Sequence, residues 1–463
     1  MDIDQLQRIE EAMLRILGEV GIAVRDDDLL AQLASRGFTT RDSRAFIESG
    51  QVREFLEDER TGNGNRFSTG PELPGPLDSQ ITLSVLAYAQ NVHDIDTDRI
   101  VPWTTDRLIE LTKLMHVLAG KGVAPTVPGY PLDVPTPLQH LVQYWIAANY
   151  CENAVRPAYV KSHRSLPYFM DMADVMGDPV RYVSIYVATP LTLGSEGLRS
   201  ALECQDRLEF VTVGNMASLG CTTPINAGDA CALLAAEVIG SAMLLGEVLS
   251  IPVRWNMRLC PADLRTMAMV LGSPEDLLLQ FLNAEVNAFF HGTRWSPAAG
   301  GIHTSAKLPG PQSCAEKAGM MTAGALLGQR SFGIAGSLSL DEIFSPEELL
   351  YDIEIRNHVQ RLVAGMDASC DVDRCLADVK EGVAQRSFAG LDSTLHAYRE
   401  QYWHPSLYER DFLQQWEKQG AVTIRCRAHA TIRELISRHD YELAPRLRAE
   451  LDAILTRARH DLA

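Results

Sequence analysis

Residues 227–256 read AGDACALLAAEVIGSAMLLGEVLSIPVRWN. The apolar run through Val253 is long enough to suggest a membrane span, but Glu237 and Glu247 interrupt it. It reads better as a buried helix over 227–249 running into a strand over 251–256. In that strand Arg254 and Asn256 share one face, and Val253 and Trp255 share the other. A guanidinium is costly in an apolar layer beneath helices. Arg254 and Asn256 are therefore expected to face the lumen of a closed sheet.

The same alternation extends in both directions. Candidate strands fall at 82–87, 123–127, 156–160, 182–188, 208–213, 251–256, 293–297 and 331–335. Helical periods separate most of them, at 105–119, 137–150, 227–249 and 274–290. A recurring strand-then-helix order predicts a parallel sheet, and eight such units close a TIM (β/α)8 barrel. By parity Ser184, Tyr186, Thr212, Arg294 and Ser296 also point inward. An open doubly wound sheet would need strands apolar on both faces, which these are not.

Flanking segments complete the plan. Residues 1–78 form a helical N-terminal extension, with helices at 4–20, 26–35 and 47–58 and a Gly/Pro-rich connection at 61–78. Residues 79–365 form the barrel. Residues 366–463 supply C-terminal helices at 372–385, 393–400 and 408–419. The stretch 425–459 is a long helix or a pair, either an exposed wrap or a dimer face of a homo-oligomer.

Composition narrows the function. Hydrophobic residues make up 46% of the 463, enough for an extensive core, and a formal charge of −18 argues against nucleic acid. The start MDIDQLQRIEEAML lacks the basic head and apolar run of a signal peptide. Nine cysteines without a CxxC pair suit reduced, mostly buried thiols. A cytoplasmic protein bound to neither membrane nor nucleic acid is expected. No HxH, HExxH, GxSxG, P-loop or GxGxxG is found, so no metal site is expected. No DxHxxG segment is present either, so any corrinoid must be carried by another polypeptide.

Polar groups concentrate in residues 291–319, HGTRWSPAAGGIHTSAKLPGPQSCAEKAG. Barrel chemistry sits at the carboxyl ends of strands. Those ends carry Gly129 and Tyr130, Ser162 and His163, Thr189 and Pro190, Asn215 with Thr222 and Thr223, Asn256 with Arg258, His303 to Lys307, and Ser337 to Asp341.

The chain resembles the trimethylamine methyltransferase superfamily, in its non-pyrrolysine, glycine betaine methyltransferase-like branch. The segments that carry the resemblance are EEAMLRILGEVGIAV, GCTTPINAGDACALLAAEVIGSAMLLGEVLSIPV, GSPEDLLLQ, GGIHTSAKLPGPQSCAEKAG and TLHAYREQYWHPSLYERDFLQQW. The resemblance implies a TIM barrel with extra helices. It also implies methyl transfer from a small methylated amine to the Co(I) centre of a separate corrinoid protein.

Gly300, Gly301, Thr304, Ala306 and Lys307 fit the family's GGxxTDAK loop, with Ser305 where an aspartate is usual. Gln312, Glu316 and Lys317 fit its QxGYEK helix start, with Ala315 where tyrosine or pyrrolysine stands. These departures argue against trimethylamine itself.

Within this frame His303 and Glu316 are the candidate catalytic residues, and Glu316 would place negative charge near the ammonium. Tyr130 and Tyr186 are candidate cation-π walls, worth about 0.5–2 kcal/mol. Asn215, Arg254, Asn256, Lys307 and Gln312 are candidate substrate-binding residues, with Arg254, Lys307, Arg258 and His303 able to hold a betaine carboxylate. The alternatives are a barrel enzyme of another class, a lyase or hydrolase, or a non-catalytic betaine binder that kept the scaffold.

Overall fold

The computed structural model describes residues 1–68, 80–154, 162–296 and 300–462. At its centre lie two three-stranded parallel sheets. One aligns Ser331–Ala335, Thr82–Val85 and Val123–Ala124; the other aligns Val253–Asn256, Phe210–Gly214 and Tyr182–Tyr186. These are six of the eight expected strands. The strand expected at 156–160 lies outside the described residues.

The strand expected at 293–297 is not formed at 293–296, the part that is described. Helix Pro274–His291 is capped at its start by Ser273, and at its end Gly292 takes the left-handed conformation. The Thr293 N–H then still donates to Ala288 O (3.0 Å), so the chain has not left the helix end. Parallel pairing with the neighbouring strand comes later, as Gly301 opposite Gly333.

Strand parity follows the expectation drawn from PVRWN. Val183, Ile185, Val211, Val213 and Trp255 are buried against helices. On the opposite face Ser184, Thr212 and Arg254 lie in register, and the Thr212 hydroxyl donates to Ser184 Oγ (2.9 Å). One row toward the carboxyl ends come Tyr186, Gly214 and Asn256. One row back, Tyr182 stacks on Phe210 (5.0 Å between centroids), and the Arg254 guanidinium lies 3.7 Å from the centre of the Phe210 ring.

This face is open to solvent, since Tyr182, Tyr186, Arg254 and Asn256 are all exposed. The apolar residues of the two sheets belong to separate clusters, each shared with its own outer helices.

The apolar helix Ala227–Val248 is a buried core helix. It crosses close over the helix Ile3–Glu19, where a Cβ on Gly240 would lie 2.5 Å from Leu17. Helices Asp27–Ser35 and Ser49–Gly62 follow near the expected positions. Strand Ile22–Val24 precedes the first of them and pairs with Thr192–Leu193, and strands Thr39–Arg41 and Arg44–Phe46 lie between the two. Strands of three residues are too short to show a period in sequence.

At the other end the 425–459 stretch is a pair, Ile424–Ser437 and Pro445–Leu462. Its apolar stripe, with Ile432, Leu451 and Leu455, is buried in the cluster of the first sheet. It is a wrap. The helix expected at 408–419 is confined to Leu413–Lys418.

Candidate active site

Four side chains meet beyond the carboxyl ends of the strands. Strand Val253–Asn256 leads to Arg258, Gly301 to His303, strand Thr82–Val85 to Tyr88, and strand Ser331–Ala335 to Asp341. Arg258 Nη2 lies 3.2 Å from His303 Nε2, His303 Nδ1 lies 3.0 Å from Asp341 Oδ1, and the Tyr88 hydroxyl donates to Asp341 Oδ2 (2.9 Å). A guanidinium has only donors, so His303 Nε2 accepts and the Nδ1–H donates to Asp341. Arg258 thereby fixes the imidazole tautomer.

The backbone around Asp341 is held in a sparsely populated conformation. Ser339, Leu340 and Asp341 have φ of 52°, 57° and 73° in succession. Such residues cost about 1–3 kcal/mol each and need surrounding structure to hold them. That structure is the His303 loop: Ser339 N–H donates to Ala306 O (2.8 Å), Leu340 N–H to Thr304 O (3.1 Å), and Lys307 Nζ to Ser339 Oγ (2.8 Å). Gly301 lets the imidazole lie against the chain, since a Cβ there would fall 2.4 Å from His303 Nε2.

Charges in the cluster are mutually supported. Burial opposes ionisation of Asp341, but His303 and the Tyr88 hydroxyl outweigh it and hold the carboxyl below its usual range. Burial likewise opposes the Arg258 charge, and nearby Cys260, Asp276 and Asp341 outweigh it, so its pKa is raised. Tyr186 exposes 54% of its surface. Its pKa is nonetheless raised, because loss of solvation exceeds the opposing effect of the nearby Arg258 charge. The ring thus presents an aromatic face within electrostatic reach of a fixed cation.

The family model described as trimethylamine methyltransferase (MTTB) matches residues 1–463. The chain belongs to the trimethylamine methyltransferase family. Among its relatives is a glycine betaine methyltransferase of Desulfitobacterium hafniense, 23% identical over 98% of this chain and 94% of the relative. A proline betaine:corrinoid methyltransferase of Eubacterium limosum is 20% identical over 88% of this chain and 86% of its own length. A trimethylamine methyltransferase of Methanosarcina barkeri is 25% identical over 50% of this chain and 46% of its own length. This protein is a methyltransferase.

The other candidate residues of this trimethylamine methyltransferase family member take varied positions. Glu316 is half-buried and accepts from Thr304 Oγ1, Ser305 N–H (3.2 Å) and Gln312 Nε2 (2.8 Å). It holds the loop that carries His303, and Gln312 holds it in turn. Lys307 is exposed and engaged with Ser339, and Ala315 is exposed on the helix Pro311–Leu326. Tyr130 is buried. Asn215 is buried, with its amide donating to Leu234 O (3.1 Å) and Glu237 Oε2 (2.8 Å) while its carbonyl accepts the Arg258 N–H (3.1 Å). It sets the backbone from which Arg258 projects. Asn256 is exposed beside Tyr186 across Gly214, and Arg254 sits one row deeper over Phe210.

Tyr88 is the residue that sequence reasoning missed. It follows the first strand directly, so the carboxyl-end rule applied to that strand would have found it.

Replacing Glu316 with glutamine exchanges charge-assisted hydrogen bonds for neutral ones, a loss of about 1 kcal/mol. The methyltransferase should keep its melting temperature within a few degrees and show a KM raised roughly fivefold. Initial rates against substrate concentration check this; an unchanged KM would mean that the loop does not rely on Glu316.

Proposed function

We propose that the protein demethylates a carboxylate-bearing quaternary amine of the betaine type, transferring the methyl group to the corrinoid of a separate partner protein. The juxtaposition of Tyr186 with Arg258 carries this reading, since it offers an aromatic face for an ammonium beside a cation for a carboxylate. Two relatives named for betaines support it. The proposed setting is a closed (β/α)8 barrel whose two described arcs each contribute to the site.

The exposed row of Tyr186 and Asn256 leaves this face open to a partner's cofactor. The corrinoid supplies the nucleophile that takes the methyl group. The leaving group of a quaternary ammonium is a neutral amine, so no general acid is required. The task of the chain is to bind and orient. The Tyr186 ring, and Tyr88 at the rim, face the cation. Arg258 pairs with the carboxylate while His303 accepts its other N–H, and Asp341 holds His303 in the tautomer that permits this. Fixing the substrate in one attitude removes rotational freedom that would otherwise raise the barrier.

A panel of methylated amines incubated with Co(I) cobalamin tests the proposal, with transfer followed by the change in visible absorption. Glycine betaine and proline betaine are expected to react, whereas choline and trimethylamine, which lack a carboxylate, are not. Choline turning over as fast as glycine betaine would remove Arg258 from substrate recognition.

A further inference from the structure

Helix Pro346–Ala364 carries the chain away from the site. Just past its middle Arg356 donates to the carbonyls of Ile81 (3.1 Å), Gly122 (3.0 Å) and Lys121 (2.9 Å), which immediately precede strands Thr82–Val85 and Val123–Ala124. The chain beyond Gly365 therefore emerges at the amino ends of the strands, opposite the Arg258–His303 cluster. There it forms an arm of two helices, Val372–Gln385 and Asp392–Gln401. Gly382 is the only buried residue of the first helix, and the second has none.

The first helix is nevertheless built to be covered. Val372, Leu376, Val379 and Val383 fall at i, i+4, i+7 and i+11, one apolar face, and are 74, 52, 45 and 67% exposed. Phe388 (50%) and Leu395 (57%) add to the exposed apolar surface of the arm. A helix of 14 residues is marginal in water without packing on its apolar face.

We infer that this arm is an interface between two copies of the chain. The six side chains expose on the order of 100 Å² each, about half of what a buried aromatic covers. A pair of arms would then bury ~1,200 Å² in total, the lower limit for a stable interface. A twofold pairing brings the same patch of each copy together, so a single sequence satisfies both sides. Two other occupants are disfavoured. The arm carries Asp367, Asp371, Asp373, Asp378, Glu381, Asp392 and Glu400 against Arg374, Lys380, Arg386 and Arg399, a negative excess that opposes an anionic membrane surface. A corrinoid partner must reach the other end of the strands, on the proposed function.

Light scattering of the full chain should give a mass that is a whole multiple of two chains at micromolar concentration. The double variant Leu376→Glu/Val383→Glu should halve that mass. Both positions are exposed, and circular dichroism verifies that the fold is kept. Methyl transfer to free Co(I) cobalamin should stay within about twofold, because neither residue approaches the site. A monomeric wild type, or a folded variant of unchanged mass, overturns the inference. So does a variant of unchanged mass that loses binding to anionic vesicles or to a corrinoid protein. The mass readout holds whether or not the proposed substrate is correct, so the two can fail separately.

Discussion

His303→Ala is expected to lower kcat/KM for the best substrate by roughly 10- to 100-fold while leaving the protein folded. Truncation removes the acceptor that orients Arg258 and the donor that faces Asp341. A buried carboxylate that loses a partner costs about 1–3 kcal/mol. Because His303 is linked to both Arg258 and Asp341, the loss should appear in substrate binding and orientation together. Tyr88 still reaches Asp341, which limits the damage to the fold.

His303→Asn retains an N–H near the position of Nδ1 and should recover part of the activity. A merely structural role would move melting temperature and activity together, whereas this role moves KM for betaine-type substrates with little thermal change. Unaltered kinetics in His303→Ala would dissolve the site as described.

Much of this arrangement was legible in the sequence because parity is a strong constraint. Arg254 and Asn256 alternate with Trp255, and only one face of a strand can tolerate a guanidinium; the structure places both on the exposed face. The loop at His303 was legible from its glycines and crowded polar groups. Less accessible was the way these loops combine. Nothing in the sequence near Asp341 announces three successive left-handed residues, since serine, leucine and aspartate adopt that conformation only when a neighbouring loop imposes it.

The 293–297 segment misled because alternating residues with an aromatic fit a strand, while the helix end at Gly292 claimed the first of them. The role of Asn215 was hidden for a related reason. Its position after a strand fits a ligand contact and a backbone clamp equally well, and only the pairing of its amide distinguishes them.

Lys317→Met should produce the largest loss of stability, about 3–5 kcal/mol in urea unfolding. In sequence Lys317 passes for a charged residue of an ordinary first helical turn, yet it is fully buried. Its Nζ lies 2.8 Å from Asp352 Oδ2 and 3.0 Å from Glu348 Oε1, both carboxylates also fully buried. Asp352 further accepts Gly336 N–H (2.7 Å), and Glu348 accepts the Ser313 hydroxyl (2.9 Å). One cation thus ties the start of the helix that bears Glu316 to the segment that leads to Asp341. Removing it leaves two acids in a medium that cannot solvate them.

The pH dependence follows from the direction of the shift. Burial raises the Asp352 pKa in the folded state despite Lys317, so its contribution to stability is present at acid pH and is lost as pH rises through the raised value. Without the lysine charge that pKa must rise further. The penalty of Lys317→Met should therefore be smaller near pH ~5 than near pH ~8, and adding Asp352→Asn should restore part of the stability at the higher pH by removing one uncompensated charge. A penalty below about 1 kcal/mol, the level of an exposed pair, or one independent of pH, would show that the buried triad does not hold the two site segments together.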